Sequence, residues 1–235
     1  MNNSGKFSQR LWQQHQSGFF PVVPDLKLRS PQAGDLIRGR DPLELALSLA
    51  QAGAPALSVV TEPNYFGGSP ALLERISKNL NLPVLRKDFI TRPNQLKESK
   101  DLGASSVLLI IAMLEKNALF KLVEEALKLG LEPLVETHNE QELAVANELE
   151  LNIVGINNRN ILKLETDDGT VATSEKLASL VKPGVFRLSE SAIADVTDVE
   201  KAKGAGVHGV LVGTAILKAE DPVTKYLSLC KAGQN

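Results

Sequence analysis

Side chains capable of acid–base chemistry follow short apolar runs at regular intervals along this sequence. Two lysines, four carboxylates and one amide stand at or just after the ends of such runs: Asp25, Lys27, Glu62, Lys87, Glu136, Asn157 and Glu190. Lysines and carboxylates placed close together shift one another's pKa and can donate and accept protons in one reaction. The pattern predicts an acid–base active site, provided that the fold brings the ends of the runs together.

The apolar runs are the elements that must position these side chains. Eight of them occur, at residues 20–23, 56–60, 82–85, 107–111, 133–135, 153–156, 184–186 and 209–212. They lack strict polar alternation, which is typical of parallel strands buried on both faces. Active sites of parallel barrels lie where the strands end, so the polar residues fall where chemistry is expected.

Amphipathic stretches separate the runs and predict helices. Asp41, Ser69 and Asp221 each precede a proline, the pattern of an N-cap followed by proline at the first helical position. Eight strand–helix units within 235 residues predict a single (β/α)8 TIM barrel over residues 20–235, after a short N-terminal helical extension over residues 1–19. An open doubly wound sheet is the alternative, and length alone also permits two small domains.

Composition restricts the partners. The sequence has 26 basic and 28 acidic residues, and Cys230 is its only cysteine. Nearly balanced charge gives no reason to expect nucleic acid or a membrane surface as partner. A lone cysteine cannot form an internal disulfide, and no apolar run reaches the roughly 18 residues of a membrane span. We expect a cytoplasmic enzyme, a monomer or a weak homodimer.

The sequence shows no motif for a metal or a cofactor. His15, His138 and His208 lack the spacing of metal ligands. No glycine-rich dinucleotide motif follows a strand. We therefore expect a small-molecule substrate and chemistry that needs neither metal nor cofactor.

Two loops predict phosphate binding. Ser191-Ala192 follows the seventh run, and Gly213-Thr214 follows the eighth. Loops after strands seven and eight of such barrels often bind phosphate through backbone N–H groups. The sequence therefore predicts a phosphorylated substrate.

Several segments, in order, resemble the indole-3-glycerol phosphate synthase family. They are residues 58–62 (SVVTE), 65–69 (YFGGS), 82–90 (LPVLRKDFI), 133–136 (PLVE), 155–160 (GINNRN) and 189–191 (SES). The resemblance extends over roughly residues 20–218 and implies a TIM barrel. It also implies a carboxy-lyase of tryptophan biosynthesis that closes the indole ring of 1-(2-carboxyphenylamino)-1-deoxyribulose 5-phosphate with loss of CO₂ and water.

The resemblance implies a role for each matching residue. Lys87 takes the general-acid position, Glu136 the general-base position and Asn157 that of the active-site amide, while Glu190 and Lys27 match further catalytic groups. The substrate-binding positions are Ser30, Phe66, Phe89, Leu108, Arg159, Ser191, Ala192, Gly213 and Thr214. For Lys87 we expect a pKa lowered by apolar surroundings and nearby cations.

The sequence departs from the family pattern at the site. Asp25 replaces the usual catalytic glutamate and is one methylene shorter, and Ala192 replaces a glycine. An added methyl group at Ala192 is expected to crowd the phosphate or to require a strained backbone φ. The segment before the first strand is shorter than the family's extension over the barrel mouth, although a helix containing Phe7, Leu11 and Trp12 is expected to cap the barrel.

Three interpretations stay open at this point. The chain is a working but divergent synthase, a paralogue with a related phosphorylated substrate, or a barrel that binds a ligand without turnover. Joint retention of the lysines, Glu136, Asn157 and Glu190 favours an active enzyme. Phosphoribosylanthranilate isomerase, a related barrel, uses a carboxylate–cysteine pair, and Cys230 is far from every strand end.

Overall fold

Eight parallel strands close into a barrel in the computed structural model, which describes residues 6–159 and 169–232. The strands are β1 Val22–Leu26, β2 Leu57–Val60, β3 Val84–Lys87, β4 Ser106–Ile110, β5 Glu132–Thr137, β6 Ile153–Asn157, β7 Phe186–Glu190 and β8 Gly209–Val212. Each strand pairs with the next, and β8 pairs with β1. The predicted (β/α)8 barrel is confirmed. The last residue of the 155–160 motif, Asn160, lies outside the described residues.

Helices alternate with the strands. They are α1 Phe7–Gln16, α2 Pro42–Gln51, α3 Pro70–Asn79, α4 Pro93–Asp101, α5 Lys116–Lys128, α6 Glu140–Ala146, α7 Ala172–Leu177, α8 Val196–Gly204, α9 Thr214–Leu217 and α10 Pro222–Lys231. Asp41, Ser69 and Asp221 accept hydrogen bonds from the first backbone N–H groups of α2, α3 and α10, which confirms the three predicted N-caps. None of the described helices is long and apolar enough to cross a membrane.

The strands extend beyond the apolar runs that predicted them. The seventh run ended at Phe186, whereas β7 begins there and continues to Glu190. The third run ended at Leu85, whereas β3 continues to Lys87. Several polar residues therefore lie within strands and not in loops. In a barrel, alternate side chains point to its interior, so Lys87 and Glu190 are directed into it, whereas Arg86 points outward and bonds to Glu98 and Ser99 of α4.

Helix α1 caps the barrel at the end opposite to the expected site. Phe7 and Leu11 are fully buried and join the apolar cluster inside the barrel, and Trp12 packs edge-on against Phe186 at the start of β7. The backbone N–H and the hydroxyl of Ser8 donate to the carboxylate of Glu132, at the start of β5, at 2.7 and 2.6 Å. The predicted cap is present, but it closes the amino-terminal end of the strands and not the mouth.

The cap should contribute to stability without contributing to catalysis. Replacing Leu11 with alanine removes a fully buried side chain, and we expect the free energy of unfolding to fall by about 2–5 kcal/mol. Urea denaturation followed by circular dichroism measures this loss. The Gln16→Ala variant, changed at an exposed position of the same helix, should stay within about 0.5 kcal/mol of the parent. Equal losses in both variants would contradict the docking of α1.

Candidate active site

Four charged side chains form one layer inside the barrel, one from each odd-numbered strand: Asp25, Lys87, Glu136 and Glu190. We call this layer the charged ring. The strand register places its members at one height. On the even-numbered strand between two members, the residue that pairs with the second member lies two positions after the residue that pairs with the first. On β6, for example, Gly155 pairs with Glu136 and Asn157 pairs with Glu190. TIM barrels fill their interior with such layers of four side chains from alternate strands. Here the layer nearest the mouth is charged.

An apolar layer lies directly beneath the charged ring. It consists of the residues two positions earlier on the same strands, all fully buried: Val23, Leu85, Leu134 and Leu188. The ring therefore has a low-dielectric floor, which strengthens every electrostatic interaction within it.

The Lys87 ammonium group is the centre of the ring. Its Nζ lies 2.7 Å from Oε2 of Glu190 and 3.6 Å from Oε2 of Glu136. Burial alone would lower the pKa of Lys87, but the carboxylates of Glu190, Glu136 and Asp25 outweigh it and hold that pKa above its ordinary value. The expectation of a lowered pKa was wrong, because the groups nearest to Lys87 are anions. Lys87 therefore carries a proton at neutral pH.

The two glutamates of the ring have opposite pKa shifts. Burial raises the pKa of Glu136, but Lys87 and His138 outweigh it and lower that pKa to about 2. Burial also raises the pKa of Glu190, and repulsion from Glu136 and Asp25 adds to this against the attraction of Lys87, so that it reaches about 7. Paired carboxylates with separated pKa values are typical of acid–base sites. Glu136 is the ionised member near neutral pH.

His138 belongs to this site, although the sequence analysis weighed it only as a metal ligand. Its Nε2 lies 3.2 Å from Oε1 of Glu136, and its Nδ1 lies 3.0 Å from Oε2 of Glu142. Burial lowers the pKa of His138, but hydrogen bonds to the two glutamates outweigh it and raise that pKa to about 9. The signal in the sequence was its position two residues after the general-base candidate.

Asp25 is held by the neighbouring strand. Its Oδ1 accepts a 2.6 Å hydrogen bond from the hydroxyl of Ser58, and its side chain is buried. On the other side lies Gly213, where a Cβ atom would stand 3.1 Å from Oδ2 of Asp25. The shorter carboxylate thus has a defined place in the ring, between β2 and the loop after β8.

An apolar pocket opens above the ring on one side. Phe66, Phe89 and Leu108 line it together with Lys87. Its apolar walls suit a small aromatic ligand. Glu62, the remaining strand-end carboxylate, lines the pocket and accepts backbone N–H bonds from residues 64–66. Glu62 thus fixes the loop that carries Phe66.

A polar cleft adjoins the pocket on the side of β7 and β8. Its lining includes the four predicted phosphate-binding residues, Ser191, Ala192, Gly213 and Thr214. Lys27, Lys87, Asp25, Arg159 and Ser191 line both the cleft and the apolar pocket. The two cavities therefore form one continuous site, with the charged ring at their junction.

The loop after β7 has a left-handed backbone. Ser191 has a φ of 64° and Ala192 a φ of 56°, a region that favours glycine. The Asn158 side chain stabilises this loop by donating to the carbonyl oxygens of Glu190 and Ser191 at 3.0 and 3.2 Å. The positive φ expected at Ala192 is therefore observed.

Ser30 is the one predicted substrate-binding residue that lies outside both cavities among the described residues. It is buried in a short antiparallel pair, Arg29–Ser30 with Gly34–Asp35, that follows β1. Its hydroxyl accepts a 3.4 Å hydrogen bond from the backbone N–H of Ala33. The structure thus places Ser30 in the turn that follows Lys27.

The fold and the site define a class of protein: a (β/α)8-barrel enzyme with acid–base groups between an apolar pocket and a polar cleft. A sequence profile described as indole-3-glycerol phosphate synthase matches residues 1–229. The chain belongs to the indole-3-glycerol phosphate synthase family, as predicted, and the prediction of a carboxy-lyase of tryptophan biosynthesis is confirmed with it.

Three curated relatives carry the name indole-3-glycerol phosphate synthase. The relative from Thermococcus kodakarensis is 43% identical over 86% of this chain and 88% of its own length. That from Pyrococcus abyssi is 43% identical over 90% and 92%, respectively. That from Pyrococcus furiosus is 44% identical over 86% and 88%. The similarity thus extends over nearly the whole of each chain.

Gly155 leaves room for the Glu190 carboxylate. A Cβ atom at Gly155 would stand 2.2 Å from Oε1 of Glu190, so Gly155→Ala must displace that carboxylate from Lys87. We expect kcat to fall by about 100-fold, the effect of misplacing a catalytic group by about 1 Å. Steady-state kinetics measures it.

Gly204→Ala is the matched control, since a Cβ atom there meets no atom within 4 Å. It should keep full activity. Unchanged kcat in the Gly155→Ala variant would show that the position of Glu190 is unimportant.

Proposed function

We propose that this chain closes the indole ring of 1-(2-carboxyphenylamino)-1-deoxyribulose 5-phosphate and that the charged ring carries out the proton transfers. The observation that carries the proposal is the position of Lys87, protonated and held between Glu190 and Glu136 where the apolar pocket meets the polar cleft. The substrate has an aromatic ring at one end and a phosphate at the other, which matches these two cavities.

The first step is ring closure, with Lys87 as general acid. The aromatic carbon that bears the carboxylate attacks the ribulose carbonyl carbon, and Lys87 delivers a proton to the carbonyl oxygen as the new C–C bond forms. Loss of CO₂ then returns the electron pair to the ring. A protonated lysine is suited to this step because its proton is already in place.

The second step is dehydration, with Glu136 as general base. The new hydroxyl group must leave as water, and a proton must be removed to complete the indole double bond. Glu136 is ionised, and Asn157 is among the groups that lower its pKa. Glu190 has a pKa of about 7, so its protonated form is present near neutral pH and would supply the proton with which the hydroxyl group leaves as water.

The remaining residues bind the two ends of the substrate. Phe66, Phe89 and Leu108 would hold the anthranilate ring, and Arg159 and Lys27, which line both cavities, would offer charge to its carboxylate and to the phosphate. The loops at Ser191, Ala192, Gly213 and Thr214 would hold the phosphate. Ser30 would act indirectly, through the turn after Lys27. We place the enzyme in the cytoplasm, as a monomer or weak homodimer.

The purified protein should convert the substrate to a fluorescent indole product. Lys87→Met removes the proposed acid, and we expect kcat to fall by at least about 100-fold. Lys97→Met is the control, because Lys97 is exposed on α4 and away from both cavities. Both variants should give the parent's circular dichroism spectrum. Binding of the substrate by the parent protein without indole formation would refute the synthase and favour a paralogue or a binding protein.

The left-handed loop at Ala192 allows a test of the phosphate site. Ala192→Val places a β-branched residue at a φ of 56°, which forces the backbone to shift. We expect KM to rise by at least about tenfold, since one lost phosphate contact costs about 1.5–3 kcal/mol. Ala192→Gly keeps the conformation and should leave KM within about twofold. Equal KM values in all three proteins would place the phosphate elsewhere.

A further inference from the structure

The two oxygens of the Glu136 carboxylate face different cationic groups. Oε2 lies 3.6 Å from Nζ of Lys87, and Oε1 lies 3.2 Å from Nε2 of His138. The Glu136 side chain is fully buried, and only 13% of the His138 side chain is exposed. A buried carboxylate is stable only when charged or hydrogen-bonding partners compensate for its lost hydration. His138 supplies one side of that compensation.

We propose that His138 is a positioning residue for the reaction: its imidazolium bridges Glu136 and Glu142 and fixes the orientation of the Glu136 carboxylate. This inference rests on the proposed function, in which Glu136 is the general base. His138 is not among the described residues that line either cavity, so it acts through Glu136 and not by contact with the substrate.

The contacts of the imidazole favour its doubly protonated form. Nδ1 lies 3.0 Å from Oε2 of Glu142, while Nε2 lies 3.2 Å from Oε1 of Glu136. A neutral imidazole has one N–H, so one of its nitrogens would direct a lone pair at a carboxylate oxygen. The imidazolium instead presents an N–H group to Glu142 and its positive charge to Glu136. The pKa of His138, raised to about 9 by the two glutamates against the effect of burial, agrees with this geometry.

Glu142 is itself fixed by the start of α6. The same Oε2 accepts the backbone N–H of His138 at 2.8 Å, and Oε1 accepts from Nδ2 of Asn139 at 2.8 Å. Asn139 also caps α6, its Oδ1 accepting the backbone N–H of Glu142 at 2.9 Å. Asn139, the cap of α6, thus holds the Glu142 carboxylate, and Glu142 in turn holds the His138 ring. These contacts link the start of α6 to Glu136, the proposed general base.

The charged groups around Glu136 determine the direction of the pH effect. Lys87 faces it from β3, Glu190 from β7 and His138 from the loop after β5, and the Asn157 amide faces it from β6. Loss of the His138 charge removes one of two cations, so the pKa of Glu136 rises. That pKa starts from about 2, and one neighbouring cation changes a carboxylate pKa by about 1–3 units, so Glu136 stays ionised near neutral pH and loses its orientation instead. The pH effect therefore follows His138: activity falls where the imidazolium loses its proton, as the pH rises through about 9 in the parent.

Two variants should show opposite pH trends relative to the parent enzyme. In His138→Gln, which has no imidazolium at any pH, the ratio of parent kcat to variant kcat should be at least about tenfold at pH 7 and should fall as the pH rises through about 9, where the parent loses its own imidazolium. In Glu142→Gln, the pKa of His138 falls toward its ordinary value because one anion is lost. The corresponding ratio should therefore rise as the pH increases from 6 to 8, because at pH 8 the parent keeps the imidazolium and the variant has largely lost it.

Glu140→Gln is the control, since Glu140 lies on the same helix but pairs with Lys176 at the surface. Its ratio should stay near 1 at every pH. Constant ratios in both test variants would show a merely structural role and overturn the proposal. If circular dichroism shows that His138→Gln is unfolded, the proposal is tested by Glu142→Gln and by the ¹⁵N chemical shifts of His138 in the parent, which report whether the ring is charged. A neutral ring at pH 7.5 overturns the inference, whereas an inactive parent enzyme overturns the proposed function instead.

Discussion

The attraction between the buried Lys87 ammonium and the carboxylates around it is the interaction on which the site depends. One cation and three potential anions share a layer above an apolar floor, where unpaired charge is costly. The ring meets this constraint in two ways. Glu190 lies in direct contact with Lys87 at 2.7 Å, and its raised pKa lets it lose its charge near neutral pH. A third anion is thus tolerated because a proton can neutralise one member.

The same arrangement separates the acid from the base. Lys87 holds its proton because anions surround it, and Glu136 stays ionised because cations face both of its oxygens. Neither property belongs to the residue alone; each comes from partners on other strands. The barrel is suited to this purpose, because its register brings side chains from four distant segments to one height while the backbone hydrogen bonds hold them there. The protonation states of the acid and the base are therefore determined by the charged ring as a whole.

The repeat of apolar runs was enough to predict the barrel, since each strand–helix unit has its own local pattern. The same runs misplaced the ends of β3 and β7, because polar residues on both faces of these strands interrupt the apolar pattern before the strand ends: Arg86 and Arg187 bond outward to the helical layer, while Lys87 and Glu190 point into the barrel. The pKa of Lys87 could not be inferred correctly, because its nearest partner, Glu190, is 103 residues away in the sequence. His138 was overlooked for a different reason: histidines were considered only as metal ligands, whereas the place of His138 beside Glu136 depends on the fold.

The departures from the family pattern are local and leave the charged ring in place. Strand register fixes the height of Asp25, and the Ser58 hydroxyl orients its carboxylate. The missing methylene group therefore shortens the side chain without removing it from the charged ring. At Ala192 the backbone adopts the left-handed conformation without glycine, supported by Asn158 from the neighbouring strand end. At both positions, a hydrogen bond from an adjacent strand or strand end holds the group in place, although the residue is not the glutamate or glycine of the family pattern. The barrel thus tolerates substitution at individual ring and loop positions, because neighbouring strands determine where each group lies.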